Sequence, residues 1–226
     1  MDAPDALASA ATGMRAQAAR LDQIATDLAN AGTPGYRSSS PAGTFFADRL
    51  GAAAGPSSAQ GALRLTGVPT DVALSGPGYF AVATPAGVRY TRDGRLSADP
   101  SGTLVDSRGN RLLGTLGPVR FPHRANIDSD GRIVSGGHII DRLRIVDFAG
   151  TVEQGDGYRA ALPGATPGRA AAQVRAGYLE DSGVNPIAEM TALVSSQRAF
   201  EANQKAAQRA DETLRRAVTD VPAVHP

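Results

Sequence analysis

The 226-residue chain contains no cysteine, which excludes disulfide bonds, thiolate metal ligands and thiol nucleophiles. That absence suits a protein that ends in an oxidising compartment. Excess charge of either sign is also missing: 23 Lys and Arg against 22 Asp and Glu leave a formal charge of +1. The basic residues are nearly all Arg, with Lys205 the single Lys, and they are dispersed without an aromatic-interleaved stripe. Nothing in the charge therefore favours nucleic acid or an anionic membrane as partner. No apolar run is long enough to span a bilayer, so direct membrane insertion is not expected. The opening Met1-Asp2-Ala3-Pro4-Asp5 is acidic and runs into an Ala-rich polar stretch. It lacks the basic start and apolar core of a secretory signal, so export requires another route.

Motifs that carry chemistry are equally scarce. The three histidines, His123, His138 and His225, have no second His or carboxylate at helical metal spacing, and no Gly-x-Ser-x-Gly elbow or phosphate-cradling Gly-x-x-x-x-Gly-Lys occurs. Gly76-Pro77-Gly78-Tyr79-Phe80-Ala81 fits a dinucleotide fingerprint if Ala replaces the third Gly. That fingerprint needs a tight turn opening into a helix. Here Pro separates the glycines and an aromatic strand follows, so a hairpin turn is expected instead. Asp128-Ser129-Asp130-Gly131 resembles the start of a calcium loop, but the twelfth position, which should be a bidentate Glu, is Ile139. A β-turn is expected there, and Asp99 and Asp106 likewise read as turn carboxylates bonded to their own backbone. The sequence nominates no catalytic residue, no metal ligand and no cofactor.

What the chain does contain is a strong organisation. With 42% apolar and 20% charged residues it is an ordinary folded composition rather than a disordered one. Leu7, Ala11, Met14, Ala18, Leu21, Ala25 and Leu28 repeat with 4-3-4-3 spacing, the seam of a coiled-coil helix. Gly32-Thr33-Pro34-Gly35 ends it. A Ser-, Pro-, Gly- and Ala-rich stretch follows and reads as an irregular linker, with Phe45-Phe46 as a docking point. Short β runs separated by Asp- and Gly-containing turns then continue to about residue 182, with Ile139 to Val146 as one longer strand. Many short strands at even spacing predict an antiparallel sandwich or open barrel. At the far end Asn185 is an N-cap with Pro186 at the first helical position. Leu193, Phe200, Ala207 and Leu214 recur every seven residues, with Gln197, Gln204 and Asp211 between them. The fold class is thus α+β: a discontinuous N- and C-terminal helical coiled-coil domain around a central, mostly antiparallel β domain. The divisions are an N-terminal axial helix at 1–32, a linker at 33–68, the β domain at 69–183, a C-terminal axial helix at 184–219 pairing with 1–32, and a tail at 220–226.

Each helix is about 40–50 Å long at 1.5 Å per residue. Neither carries enough large apolar residues to stand alone, because isolated helices of this length are marginal. Neighbouring copies are the expected source of the missing burial.

Three stretches resemble one family, the bacterial flagellar basal-body rod and hook proteins. Ile24 through Asn30 and on through Gly35-Tyr36-Arg37 is similar to its N-terminal signature, with Thr26 and Asp27 where Asn is usual. Gly76 through Val82, Tyr90-Thr91-Arg92-Asp93-Gly94, Gly102 through Val105 and Leu112-Leu113-Gly114 resemble its central β motif, with Pro77 as a departure. Gly177 through Pro186, then Glu189-Met190 and Gln197 through Glu201, resemble its C-terminal signature, with Gly183 and Phe200 departing from the usual Asn and Tyr.

The resemblance implies a structural subunit that stacks helically into a hollow shaft. Its partners are copies of itself, other rod and hook proteins, and the flagellar export apparatus that carries it out without a cleaved signal. It implies Leu7, Met14, Leu21 and Leu28 as assembly contacts, with Leu193, Phe200 and Leu214 as their C-terminal counterparts. Asn30, Asn185 and Asn203 are implied as cap or inter-helix hydrogen-bond residues. Gly35, Gly94 and Gly102 hold turns, and Arg92 with Asp93 forms a surface pair or a turn. The short linker and the lack of a long insertion favour a proximal-rod over a distal-rod type. The competing reading is a secreted β-domain binding or scaffold module on a helical stalk, which predicts terminal helices stable in isolation. An enzyme needs a pocket of convergent titratable groups, which turn aspartates do not supply.

Overall fold

The computed structural model describes residues 3–38, 60–148, 152–155, 158–161 and 166–219. The expectations for Phe45-Phe46 and for the tail at 220–226 lie outside the described residues. The architecture is α+β, two helices and a set of strand pairs that are all antiparallel among those described. The helices form one compact unit and Asn30–Val184 forms a second.

Helix α1 (Ala3–Ala29) and helix α2 (Pro186–Thr219) run antiparallel, since Gln17 Nε2 donates to the Ser196 carbonyl at 3.2 Å while Gly13 lies beside the Asn203 amide. α2 opens on Asn185, whose Oδ1 accepts from the amides of Ile187 at 3.1 Å and Ala188 at 3.3 Å. That is the bonding of an N-cap, with Pro186 at a position that needs no donor.

Of the heptad anchors, Met14, Leu21, Leu28, Leu193 and Phe200 are half-buried. The residues interleaved between them differ from expectation. On α1 the packed positions are Gln17, Ala18 and Ile24, with Ile24 in place of Ala25; Ile24 is 5% exposed, whereas Ala25 is exposed. On α2 they are Ser196 and Asn203, and Gln197 and Gln204 face solvent. The reason is size: either offset keeps the anchors on one face, and the chosen one buries an isoleucine instead of an alanine. Asp27 is also buried, its Oδ1 accepting from Gln23 Nε2 at 2.8 Å. The side chains of Leu7, Asp211 and Leu214 lie outside the described residues.

The second unit carries β1 (Leu63–Leu65), β2 (Val72–Ser75), β3 (Tyr79–Thr84), β4 (Gly87–Thr91), β5 (Ser97–Ala98), β6 (Leu104–Val105), β7 (Arg111–Leu112) and β8 (Asn126–Ile127). It continues through β9 (Arg132–Ser135), β10 (His138–Arg142), β11 (Ile145–Phe148), β12 (Val152–Gly155), β13 (Tyr158–Ala161), β14 (Pro167–Arg169), β15 (Gln173–Ala176) and β16 (Tyr178–Glu180). The largest sheet has the order β12-β13-β4-β3-β7-β6-β5, with β11 joining β3 and β14. Strand β3 is its centre and is buried on both faces, as its unbroken apolar run requires. Phe80 and Val82 enter the main core with Val72, Leu74, Leu104, Leu112, Ile133 and Val174. Tyr79 and Ala81 enter a second cluster with Tyr90 and Val146, where the Tyr90 and Phe148 rings meet edge-on at 4.7 Å.

Three sequence expectations are corrected here. The stretch read as linker is structured at its far end: β1 pairs with β16, Leu63 opposite Glu180 and Leu65 opposite Tyr178. Gly76-Pro77-Gly78 is a corner and not a hairpin, because β2 pairs with β15 while β3 pairs with β4, β7 and β11. The long strand from Ile139 to Val146 is two strands, β10 and β11, with a register shift between Ile139 and Asp141. The shift turns the Asp141 carboxylate inward, where Thr115 Oγ1 donates to it at 2.7 Å and the Arg142 amide at 2.7 Å.

The turns obey one recurring rule. Asp99-Pro-Ser-Gly-Thr103, Asp106-Ser-Arg-Gly-Asn110 and Asp128-Ser-Asp-Gly-Arg132 each place the Asp Oδ1 to accept from the amides two and four residues on, at 2.8–2.9 Å. The glycine amide donates to the Asp carbonyl, and that glycine has φ between 76 and 82°. The carboxylate stands in for the ladder that the turn interrupts. The same device links β5 to β6, β6 to β7 and β8 to β9, so Asp128-Ser129-Asp130-Gly131 forms the turn expected of it.

Gly94 and Gly102 are both required, for different physical reasons. Gly102 has φ 76° with nothing within 4 Å of a would-be Cβ, so Gly102→Ala costs only left-handed backbone strain, about 1–2 kcal/mol. A Cβ on Gly94 would sit 1.5 Å from the Val72 carbonyl oxygen, so Gly94→Ala must pull β2 off its neighbour. Urea unfolding of the two variants should show the Gly94 substitution as clearly the more damaging.

Candidate functional site

The segment that follows α1 does not hang free. The turn begins with the Thr33 amide donating to the Asn30 carbonyl at 3.0 Å, and Thr33 Oγ1 adds a bond to Asn30 Oδ1 at 3.2 Å. Asn30 thus closes the turn after the helix. Pro34 and Tyr36 are buried, and Gly35, with φ 67°, lies so close to Arg92 that a Cβ would be 2.4 Å from its carbonyl carbon. The Gly35 amide donates to the Glu180 carbonyl at 2.7 Å, and the Gly183 amide donates back to Tyr36 at 2.9 Å. The stretch leaving α1 and the stretch leading to α2 are therefore tied side by side within the β unit.

Side chains complete the tie. Glu180, 2% exposed, sits at the end of β16. Its Oε1 accepts from Arg37 Nε at 3.2 Å, Arg37 Nη2 at 3.0 Å and the Gly61 amide at 3.3 Å. Its Oε2 lies 3.3 Å from Arg92 Nε, with both side chains 1% exposed. This last contact is ionic and off the hydrogen-bond line, and among the described residues Arg92 Nη1 has no hydrogen-bond partner. Arg92 Nη2 donates to the Gly76 carbonyl at 2.7 Å. Arg159 Nη2 donates to the Arg37 carbonyl at 3.4 Å, and the Tyr79 ring receives Arg159 at 5.3 Å and Arg92 at 5.9 Å. Burial pulls the Arg92 guanidinium down to about 10, with the Glu180 charge opposing that fall. Arg159 is lowered too, again chiefly by burial. At neutral pH both remain cations.

Arg37, Arg92 and Glu180 come from the N-terminal, central and C-terminal motifs respectively. The three stretches that the sequence singled out separately meet at one buried ion cluster. Arg92 and Asp93 were expected as a surface pair or a turn; they are not a surface pair, since Arg92 is a core residue facing Glu180, while Asp93 accepts from the Arg95 amide at 3.0 Å as a turn residue and lies 3.5 Å from its guanidinium. Burial raises the Asp93 carboxyl. A polar cleft beside the cluster is lined by Asn30, Thr33, Tyr36, Asp93, Asp106 and Tyr158. Tyr158 donates to Asp106 and accepts from Asn110 Nδ2 at 2.6 Å; burial first, then the bond to Asp106, push its phenol up to about 12. The acids of this cleft already serve turns.

Sequence reasoning missed Glu180, Arg37 and Arg159 as site residues. The available signal was a carboxylate following Tyr-Leu in a strand at a position that alternation turns inward, and an Arg directly after a Gly-aromatic pair.

Removing Glu180 leaves Arg92 buried without its counter-ion. Breaking one partner of such a pair costs about 3–5 kcal/mol, so Glu180→Ala should lower the stability of the β unit by that order. Arg37→Ala should cost less, because its side chain is 14% exposed. Denaturant midpoints of the two variants, read by tyrosine fluorescence, check the ranking.

Comparison with known proteins fits this geometry. Residues 175–220 match the family described as "Flagellar basal body rod FlgEFG protein C-terminal" and residues 73–136 match "Flagellar hook protein FlgE/F/G D1 domain". The chain is similar to the flagellar basal-body rod protein FlgF of Mesorhizobium japonicum, 32% identical over 87% of this chain and 89% of that protein. It is similar to FlgF of Salmonella typhimurium, 31% identical over 91% of this chain and 95% of that one. FlgF of Caulobacter vibrioides is 34% identical over 58% of this chain and 56% of its own length. With relatives more than 30% identical matched along nearly their whole length, the chain belongs to the flagellar basal-body rod protein family.

Proposed function

We propose that this protein is a structural subunit of the flagellar basal-body rod. It polymerises helically through its terminal helices and helps to form the hollow drive shaft of motility. The observation that carries the reading is the contrast between the two units. The β unit has a continuous apolar core and a buried ion junction. Among the described side chains the helix pair packs through Ile24, a few half-buried anchors and the hydrogen bond from Gln17 to the Ser196 carbonyl. A pair so sparsely apolar gains stability when further copies surround it.

In this reading the axial helices 1–32 and 184–219 form a coiled-coil layer with those of neighbours, and 69–183 faces outward. Leu7, Met14, Leu21, Leu28, Leu193, Phe200 and Leu214 supply the apolar contacts. Asn30 and Asn185 fix the helix ends, and Asn203 sits in the seam opposite Gly13. The partners are copies of this chain and other rod and hook proteins, reached after passage through the flagellar export apparatus. The location is the basal body.

Deleting residues 3–29 should abolish incorporation into basal bodies and swimming in soft agar, while circular dichroism still reports a folded β unit. A motile strain whose sole copy carries that deletion contradicts the proposal.

A further inference from the structure

The β unit holds a second cleft, of about 320 Å3, that shares no lining residue with the polar cleft beside the ion cluster. It opens where the neighbours of one stretch of chain part. The Leu143 amide donates to the Gly131 carbonyl at 2.8 Å, whereas the Ile145 carbonyl accepts from the Ala170 amide at 3.4 Å. The floor is apolar: Leu143 belongs to the main core, and Ile145 and Ala172 pack against it. The mouth is fixed by hydrogen-bonded turns. Buried Asp141 accepts through Oδ1 from the Thr115 amide at 3.2 Å, Thr115 Oγ1 at 2.7 Å and the Leu116 amide at 3.4 Å. Asp128 braces the turn that carries Asp130. A ligand therefore meets walls that need no reordering. Leu116, next to the lining residue Thr115, is 83% exposed and adds apolar surface at the rim.

The charge lining this cleft is mostly of one sign. Arg142 and Arg144 are its cations and Asp130 is its one acid. Asp130 is already engaged, its carboxylate 2.9 Å from Arg132. Arg142 Nε donates to the Asp130 carbonyl at 3.0 Å, which holds that guanidinium in place. Arg144 is exposed and has no ion pair among the described residues. Two guanidiniums around an apolar floor suit a ligand that brings apolar surface and a carboxylate together. β14, whose Pro167 and Gly168 line the cleft, has β11 as its one strand neighbour among the described residues. Its other edge leaves backbone groups for an extended chain to meet.

We propose that this cleft is a docking site for an extended acidic segment of a partner protein. Apolar side chains of that segment rest on Ile145, Ala170 and Ala172, and its carboxylate meets Arg144 and Arg142. The contact lies wholly within the β unit, so it is independent of the terminal helices and of assembly through them.

Two fluorescein-labelled hexapeptides test this on the full chain, one alternating valine with glutamate and the other valine with lysine. Binding is followed by fluorescence anisotropy, and the glutamate peptide is expected to bind several-fold more tightly. Arg144→Glu should weaken it several-fold and favour the lysine peptide instead. Arg111→Glu, at an exposed strand position outside the cleft, should leave the affinity unchanged. Amide shifts at Ile145, Ala170 and Ala172 in the isotope-labelled chain should accompany binding. No binding, equal binding of the two peptides, equal effects of the two substitutions, or shifts confined to other residues overturn the proposal. Free glutamate that competes as well as the unlabelled hexapeptide also overturns it, because the cleft then takes a small acid and not a protein segment.

Discussion

A single buried carboxylate organises this molecule. Glu180 receives Arg37 and the Gly61 amide on one oxygen and faces Arg92 with the other. Its own backbone pairs β16 to β1 and accepts the Gly35 amide. An isolated carboxylate could not stay ionised at that depth, and the arginines could not be buried without it. The pieces therefore stand or fall together. That mutual dependence explains why Gly-Tyr-Arg, Thr-Arg-Asp-Gly and Gly-Tyr-Leu-Glu occur in one chain: each contributes one part of an arrangement that is unfavourable with any part missing.

The cluster also gives the fold its division of labour. The β unit owes its stability to Phe80, Leu74, Leu104 and their neighbours, all 0–1% exposed, and to carboxylate-braced turns that keep short strands in register. The helix pair has one well-buried large residue, Ile24, among its described side chains, and a polar seam. The junction ties the two connecting segments to the β unit, while Ile187, Met190 and Val194 leave apolar surface exposed on α2.

Much of this was legible in the residues. The N-cap at Asn185 and the turn aspartates follow from local chemistry, and the structure has them in those roles; of the heptad positions, Met14, Leu21, Leu28, Leu193 and Phe200 are half-buried. One interleaved seam position on α1 was not legible, because Ala25 satisfies the same periodicity as Ile24, and only packing against α2 selects between them. The break between β10 and β11 falls at Leu143-Arg144, inside an apolar-rich run that reads as continuous, and the register shift before Asp141 lies within β10 itself. The ion cluster was the least accessible: Arg37 and Glu180 are 143 residues apart in sequence, so no local pattern couples them. Their placement inside motifs marked them as notable without giving the reason.

The central claim is that the Glu180 junction locks the segments flanking both helices onto the β unit. Amide hydrogen exchange at Gly35 and Gly183, whose N–H groups bond across that junction, measures it most directly. The account predicts that both amides exchange only as slowly as those of β3 and β4 in the wild-type protein, and that Glu180→Gln releases them together while β3 stays protected. Free-chain exchange at Gly35 and Gly183 in the folded wild-type protein would contradict it.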